Sequence, residues 1–482
     1  MEMSHQGGAE GESLLRQERG PVVMPGQRGR WDAADEKAPF LRNEPVKLTP
    51  AWEGNNLPND TLNLKGIAMD LAAPKDRWNI IFLTLLLHGL GTLTAWNMFI
   101  TAKDYFVDYK LKPAPVYSEH YLAYVGWASQ IPNLLFSWFN VFFTTSGNLT
   151  VRIVWSLIIE VLIFVINVIL AMLDTTSWTG GFFWITMISV FFLNGFNAIF
   201  QNSVFGVAAC LPPSYTGAVI LGSNLCGLLI VGLNWLSVLF ENQRTAAIYY
   251  FIGGMFVLLI CIDTYFALPL NKFYRYHDQL NQERNAANPD SKAANVPKTS
   301  RLTLFKQAFV QLYNVFIIFF VTLAVFPAVI SDVHPISPGF LGSNFVRITC
   351  FLTFNVTATL GNITASTFQF PSPRWLVVFT TARLLFIPFF LLCNYLPLDA
   401  ARTVPVYVTN DWVFWIASAL LGWSSGHGSS LAMMYIGGTV APENASPAGM
   451  IGGAVLVTGL VAGITFTRVC PIIVTAGVWR SA

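Results

Sequence analysis

Charged residues are scarce in this chain. Asp, Glu, Lys and Arg make up 11% of its 482 residues, whereas a soluble domain carries roughly a quarter. Hydrophobic residues make up 54%. This balance excludes an ordinary water-soluble globular protein and indicates that lipid surrounds most of the chain. The formal net charge is only +2, so a general attraction to nucleic acid is not indicated.

The residue patterns of common enzymes and ATP-driven proteins are also missing. The six cysteines lie singly in apolar stretches, without CxxC spacing, and we interpret them as packing residues. There is no GxxxxGK[ST] phosphate loop, so ATP coupling has no support. No metal-ligand or nucleophile-base constellation appears, and we therefore predict neither an enzyme nor a cofactor.

Long apolar runs are abundant. A helix needs roughly 20 apolar residues to cross the hydrocarbon core, and these runs lack the alternation of barrel strands. We therefore predict an all-α integral membrane protein with about 11 transmembrane helices. The runs lie near 78–102, 121–147, 153–173, 181–208, 213–240, 246–268, 307–331, 344–370, 375–396, 412–436 and 446–467. The uncharged stretch 175–240 is divided at Pro212 and Pro213, because paired prolines should end one helix and start the next.

Polar segments divide the chain. Residues 1–76 have no cleavable signal sequence and are expected to form a disordered cytosolic tail. Residues 77–268 should form a first six-helix bundle, 269–306 a cytosolic linker loop, 307–470 a second five-helix bundle, and 471–482 a short extracellular end. Lys and Arg concentrate in the tail and linker, which predicts a cytosolic N-terminus and an extracellular C-terminus.

Several strings together resemble the equilibrative nucleoside transporter family. The first span reads GLGTLTAWNMFITAKDYF, and the second contains QIPNLLFSWFN. The fourth reads NGFNAIFQNSVFG and is followed by LPPSYTGAVILGSNLCG, while the ninth contains TARLLFIPFFLLCN. The resemblance implies a fold like that of the major facilitator transporters, with six plus five helices. It also implies sodium-independent facilitated diffusion of nucleosides, in some members nucleobases, by a uniporter with alternating access.

A nucleoside site needs ring faces for the base and neutral hydrogen-bonding groups for the ribose. In the first span, the resemblance favours Trp96 and Asn97, because an indole stacks and an amide both donates and accepts. Leu93 and Ile100 lie on the same helical face. The alternative is that Trp96 packs between helices, that Asn97 ties two helices together, and that the two apolar residues are core.

The fourth span carries amides through the middle of an uncharged helix. Gln201 is the strongest single candidate for the substrate site, with Ser203 beside it, because an unmatched amide in lipid is costly. Asn194 and Asn197 share a helical face with Gln201. The alternative is a hydrogen-bonded seam between helices.

Three further residues are expected to have gating or structural roles. Gly222 and Gly227 match the family pattern in the fifth span and allow close helix approach or flexing. Arg383 is a cation inside the ninth span and requires a partner or cavity water.

The eighth span, FLTFNVTATLGNITAS, departs from the family. Many members have an acid and an arginine where this chain has Ala358 and Asn362, which weakens any transfer of substrate range and disfavours organic-cation transport. Phe354 and Gly361 keep the rest of the motif and are assigned gating or structural roles. Asn355 and Asn362 remain candidate substrate contacts.

Several alternatives stay open. We expect the cell membrane as the location; Glu10 to Leu15 have the spacing of an acidic dileucine signal, which makes an endosomal or lysosomal membrane the alternative. His88 in the first span and Glu160 in the third are ionisable, and for His88 proton coupling competes with polar packing. Nucleobases or other small polar solutes are alternative substrates, and a non-transporting receptor is a further alternative.

Overall fold

The computed structural model describes residues 74–475, except 104, 119–120, 144–148, 239–242, 288–299, 338 and 398–401. Most of the predicted N-terminal tail, with the motif at Glu10 to Leu15, lies outside the described residues, as do residues 476–482.

The described chain is helical almost throughout. Its only β-type pairing is one isolated bridge between Val333 and Tyr395. The longer helices are α1 (Ile80–Thr101), α2 (Tyr121–Phe142), α3 (Leu149–Met172), α4 (Thr179–Ala208), α5 (Pro213–Val238), α6 (Gln243–Ala267), α7 (Lys272–Ala287), α8 (Arg301–Val325), α9 (Thr353–Thr367), α10 (Leu376–Leu392, with a 3-10 turn inside), α11 (Asp411–Ile436), α12 (Ala445–Thr467) and α13 (Val469–Thr475).

Every predicted apolar run contains a helix, which confirms the all-α fold class. Within the described ranges, seven helical segments are long and apolar enough to cross a membrane, and Leu376–Leu392 is a shorter apolar helix. The count of about eleven membrane crossings therefore stays a prediction. The predicted break in the uncharged stretch is confirmed, since α4 ends at Ala208 and Pro213 is the first residue of α5. Proline suits a first helical position because the backbone N–H there has no partner within the helix.

Part of the predicted linker loop is a helix. Residues Lys272–Ala287 form α7, whose buried Phe273 packs on Tyr215 with ring centroids 5.1 Å apart. The Tyr215 hydroxyl donates to Oδ2 of Asp76 at 3.2 Å. This segment was expected to be irregular because it is polar overall. It is helical because one apolar side of it packs against the base of α5.

The membrane helices pack in two groups. Helices α1 to α6 contact one another, and α8 to α12 do the same. The groups meet where α2 and α4 contact α12, and where α5 contacts α9 and α11. The six-plus-five division and its exact boundaries remain predictions.

Three close contacts between the two groups lie at one end of the molecule. A Cβ on Gly449 would lie 2.5 Å from the carbonyl oxygen of Phe205, and one on Gly206 would lie 2.9 Å from Cγ of Met450. A Cβ on Gly437 would lie 3.5 Å from the carbonyl oxygen of Ala209. We call this end, formed by residues 205–209 and 437–450, the closed end. In the predicted orientation it faces the cytosol.

Candidate functional site

The candidates of the first span lie on one face of α1. Leu93, Trp96, Asn97 and Ile100 are each half-buried. The residues between them are fully buried, including Ala95, Met98 and Phe99. Because positions three and four apart share a helical face, these four side chains keep accessible surface while the residues between them are packed inside the first group.

Helix α5 contacts candidates from both helix groups. The amide nitrogen of Asn97 donates to the carbonyl oxygen of Leu93 at 3.0 Å and lies 3.6 Å from Sγ of Cys226. At the next residue, a Cβ on Gly227 would lie 3.2 Å from Oδ1 of Asn355. Asn97 of α1 and Asn355 of α9 therefore approach adjacent residues of α5. Asn355 uses its amide nitrogen for the carbonyl oxygen of Phe351 in its own helix, at 2.8 Å.

Gln201 is the candidate amide with no protein partner. Its side chain is 3% exposed, and it makes no hydrogen bond within the described part of the chain. Its polar atoms are nevertheless not among those sealed from solvent. One turn earlier, Asn197 donates from Nδ2 to the carbonyl oxygen of Thr92 at 2.6 Å, and its Oδ1 is sealed without a donor. Gln201 therefore retains both donor and acceptor capacity for a ligand.

Two polar neighbours on α4 are occupied within their own helix. The hydroxyl of Ser203 donates to the carbonyl oxygen of Ile199 at 2.7 Å, and the residue has 0% exposed surface. Asn194 likewise donates to the carbonyl oxygen of Val190 at 2.9 Å. Contact of Ser203 with a substrate would require rearrangement of α4 or its neighbours.

The departure from the family pattern lies in a tight contact between α9 and α11. A Cβ on Gly361 would overlap the carbonyl oxygen of Trp423, so glycine is needed at this crossing. Asn362 accepts through Oδ1 from the hydroxyl of Ser430 at 2.9 Å, while its Nδ2 is sealed without an acceptor. Ala358 is 2% exposed. The amide of Asn362 and the methyl group of Ala358 are therefore packed in an uncharged contact between the two helices.

Phe354 packs away from this crossing. Its ring stacks on Phe326, with centroids 3.8 Å apart and planes 13° from parallel. The stack joins α9 to the residue after α8, which accords with a structural role.

Arg383 is held by hydroxyl groups. Its side chain is 2% exposed; one terminal nitrogen donates to Ser424 Oγ at 2.9 Å and the other to Thr322 Oγ1 at 2.7 Å. No ion pair to Arg383 is found in the described residues. The guanidinium therefore joins α8, α10 and α11 through neutral acceptors, with its Nε left sealed and unpartnered.

The sequence interpretation missed a polar stripe on α2. Gln130, Asn133, Ser137 and Asn140 recur at spacings of three and four, which places them on one helical face. Oε1 of Gln130 and Oδ1 of Asn133 are both sealed without a donor. The amide spacing within QIPNLLFSWFN was the available signal.

His88 lies inside the first helix group. Its Nε2 is 3.4 Å from the hydroxyl of Thr264, its ring lies between Phe200 and Tyr265, and its side chain is 1% exposed. Its Nδ1 is sealed without a partner among the described residues, so polar packing accounts for only part of its surroundings, and its role in proton coupling stays untested.

Replacing Glu160 by glutamine is expected to preserve uptake within about twofold of the native rate. Glu160 is 0% exposed, and both carboxyl oxygens are sealed without a donor among the described residues. A charged carboxylate in such surroundings is far costlier than a neutral acid, which glutamine matches in shape. Uptake measured from pH 5.5 to 8 checks this. A large loss in Glu160→Gln would instead indicate that a proton must leave this group during the cycle.

The clearest cavity lies away from these candidates. It has a volume of about 400 Å³ and lies between the ends of α8 and α12, where Phe326, Pro327 and Arg468 line it. None of the candidate substrate contacts is part of its lining. What the candidate residues share is therefore their chemistry and the helices that they contact, and not the lining of this cavity.

Comparison with known proteins identifies the family. A sequence model described as "Nucleoside transporter" matches residues 187–471. Human equilibrative nucleoside transporter 1 is 30% identical over 82% of this chain and 97% of its own, and human equilibrative nucleoside transporter 2 has the same three values. Rat equilibrative nucleoside transporter 3 is 29% identical over 76% of this chain and 84% of its own. The human organic anion transporter MFSD10 is 13% identical with a TM-score of 0.46, covering 84% of this chain and 95% of its own, a likeness too distant to bear on the fold. The chain therefore belongs to the equilibrative nucleoside transporter family, a family of multi-pass membrane transporters.

Proposed function

We propose that this protein moves nucleosides down their concentration gradient by facilitated diffusion, without sodium or ATP. The observation that carries the proposal is similarity over most of the chain to proteins named equilibrative nucleoside transporters. The absence of a phosphate loop agrees with a carrier that uses no ATP.

The proposed contacts divide between the two halves of a nucleoside. Trp96, with Leu93 and Ile100, would provide the apolar side of the passage and a ring face for the base. Gln201, Asn97 and Asn197 of the first helix group, and Asn355 and Asn362 of the second, would provide neutral donors and acceptors for the ribose and base edges. All of these groups are uncharged, which suits an uncharged solute.

Alternating access would follow from relative movement of the two helix groups. Contacts at the closed end are short and pass through glycines, and these surfaces would separate as units when the two groups move apart. Gly227 would permit the accompanying adjustment of α5 against α9, while Gly222 would keep α5 packed on α1.

Flux into lipid vesicles tests the function. With the purified full-length chain, in sodium-free buffer without ATP, radiolabelled adenosine or uridine should enter saturably and stop when inside and outside concentrations are equal. An excess of unlabelled nucleoside inside should accelerate exchange of the label. Vesicles as impermeable to both nucleosides as protein-free vesicles would exclude the proposal, and entry of nucleobases alone would favour the nucleobase alternative.

The cell membrane is the proposed location, with a cytosolic N-terminus and an extracellular C-terminus. Excess Lys and Arg in the tail and linker supports this orientation. The motif at Glu10 to Leu15 supports the endosomal or lysosomal alternative. Imaging the chain with Leu14 and Leu15 replaced by alanine distinguishes the two, because only an internal protein would move to the cell surface.

A further inference from the structure

Asn202 lies on α4, next to Gln201, where α4 meets α12 of the second helix group. The residue is 0% exposed. Its amide nitrogen donates to the carbonyl oxygen of Ser137 at 3.0 Å and lies 2.7 Å from the hydroxyl of the same residue. A carbonyl oxygen only accepts, so these contacts determine which amide atom is nitrogen. The amide oxygen Oδ1 must therefore point away from Ser137.

The amide oxygen of Asn202 lies against α12. A Cβ on Gly453 would be only 2.6 Å from this oxygen and 3.1 Å from Cδ2 of Phe205. Oδ1 is sealed from solvent and accepts from no donor in the described part of the chain. Gly453 thus lets α12 approach α4 so closely that an acceptor is buried without a hydrogen bond.

This burial depends on the two helix groups being together. The contacts between Asn202 and Ser137 join α4 to α2, which belong to the same group, so they persist when α12 moves away. Oδ1 would then become accessible to water. A buried acceptor without a donor raises the free energy only of the state in which it is buried.

We propose that Asn202 is a positioning residue that destabilises the state in which the closed end is sealed, and so sets the balance between the two states of the carrier. The inference rests on the proposed function, because it concerns the two states of alternating access. A carrier held too firmly in one state offers few molecules able to bind from the other side.

Thiol labelling at the closed end measures this balance without substrate. Ala209 is 8% exposed, and its carbonyl oxygen faces Gly437 across the two groups. A thiol introduced by Ala209→Cys should be covered when the end is sealed and reachable by a maleimide when it opens. The full-length chain without this substitution corrects for labelling of the native cysteines.

Three variants and one control in the Ala209→Cys background have different expected labelling rates. Asn202→Leu replaces the unpaired oxygen by a methyl group in a side chain of the same branched shape, so the labelling rate should fall on the order of tenfold. Gly453→Ala places a methyl group against that oxygen, so labelling should rise. Asn202→Ala combined with Gly453→Ala removes both the oxygen and its contact with the new methyl group, so labelling should fall below that of Gly453→Ala. Gly126→Ala, where a Cβ meets nothing within 4 Å, should leave labelling unchanged.

Unchanged or faster labelling in Asn202→Leu, with a native elution profile in detergent, would overturn the inference. If that variant is recovered in poor yield, Asn202→Val removes the same oxygen and takes its place. The zero-trans entry KM, compared with the equilibrium-exchange KM, gives a second readout that loss of folding does not imitate. Absence of nucleoside flux in the unsubstituted chain would bear on the proposed function alone, because the labelling assay contains no nucleoside.

Discussion

Replacing Gln201 by alanine is expected to lower nucleoside uptake by roughly tenfold to a hundredfold, while the amount of protein at the membrane surface stays unchanged. Gln201 is buried, yet no described residue bonds its amide, and its polar atoms keep accessible surface. A substrate that fills this space would meet both a donor and an acceptor. Their loss leaves the substrate's own polar group without a partner inside the membrane.

Two controls separate this hydrogen bonding from packing. Gln201→Met keeps the length of the side chain and removes its amide, so it should lose uptake as the alanine variant does. Thr186→Val lies on the same helix and removes a hydroxyl that donates to the carbonyl oxygen of Phe182 at 2.8 Å, so it should retain uptake. Native uptake in Gln201→Met would remove Gln201 from the substrate site.

Replacing Gly222 by alanine is expected to destabilise the protein by about 1–3 kcal/mol, and Gly222→Val should largely prevent its arrival at the membrane surface. A Cβ on Gly222 would overlap the backbone carbonyl oxygen of Leu86, and one on Gly89 would overlap that of Val219. The backbones of α1 and α5 are therefore in direct contact on both sides of this crossing. A backbone atom cannot rotate aside as a side chain does.

Thermal unfolding in detergent, followed by size-exclusion chromatography, measures the effect of Gly222→Ala. Gly126→Ala is the matched control, because a Cβ at Gly126 meets no atom within 4 Å and its melting temperature should equal that of the native chain. Equal melting temperatures for Gly222→Ala and the native chain would show that α1 and α5 separate easily here. That result would contradict tight packing at this crossing.

The two predictions concern different requirements of a carrier. Gln201 has an amide that no described residue bonds, which is appropriate for a group that contacts a passing solute. Gly222 has no side chain, and its role is to let two helices of one group move as a single body. We therefore expect Gln201→Ala to change uptake alone and Gly222→Ala to change stability alone.

The sequence predicted helices well and their partners poorly. Lipid offers no hydrogen bonds to the backbone, so an apolar run of membrane length is helical whatever lies beside it. The break at Pro212 and Pro213 follows equally from local chemistry. By contrast, α7 is helical through a contact with α5, and its polar composition gave no indication of that contact.

The candidate site likewise combines features that the sequence predicts with contacts that it does not predict. The stripe of Asn194, Asn197 and Gln201 is visible from spacing alone, and so is the stripe on α2 that was overlooked. Spacing does not reveal which amides are already occupied. Asn197 donates to the carbonyl oxygen of Thr92 on α1, which is 105 positions away in the sequence. Gln201 makes no hydrogen bond with any described residue.

What the sequence alone determined is that the chain is helical, lies in a membrane and has neutral amides along its spans, because these properties follow from composition and from spacing within one helix. Only the tertiary structure decided which polar groups remain available. It satisfies Arg383 with two hydroxyls, pairs Asn362 with Ser430, and seals the oxygen of Asn202 against Gly453. Each of these outcomes depends on how closely two distant helices approach, and a short-range pattern contains no information about that distance.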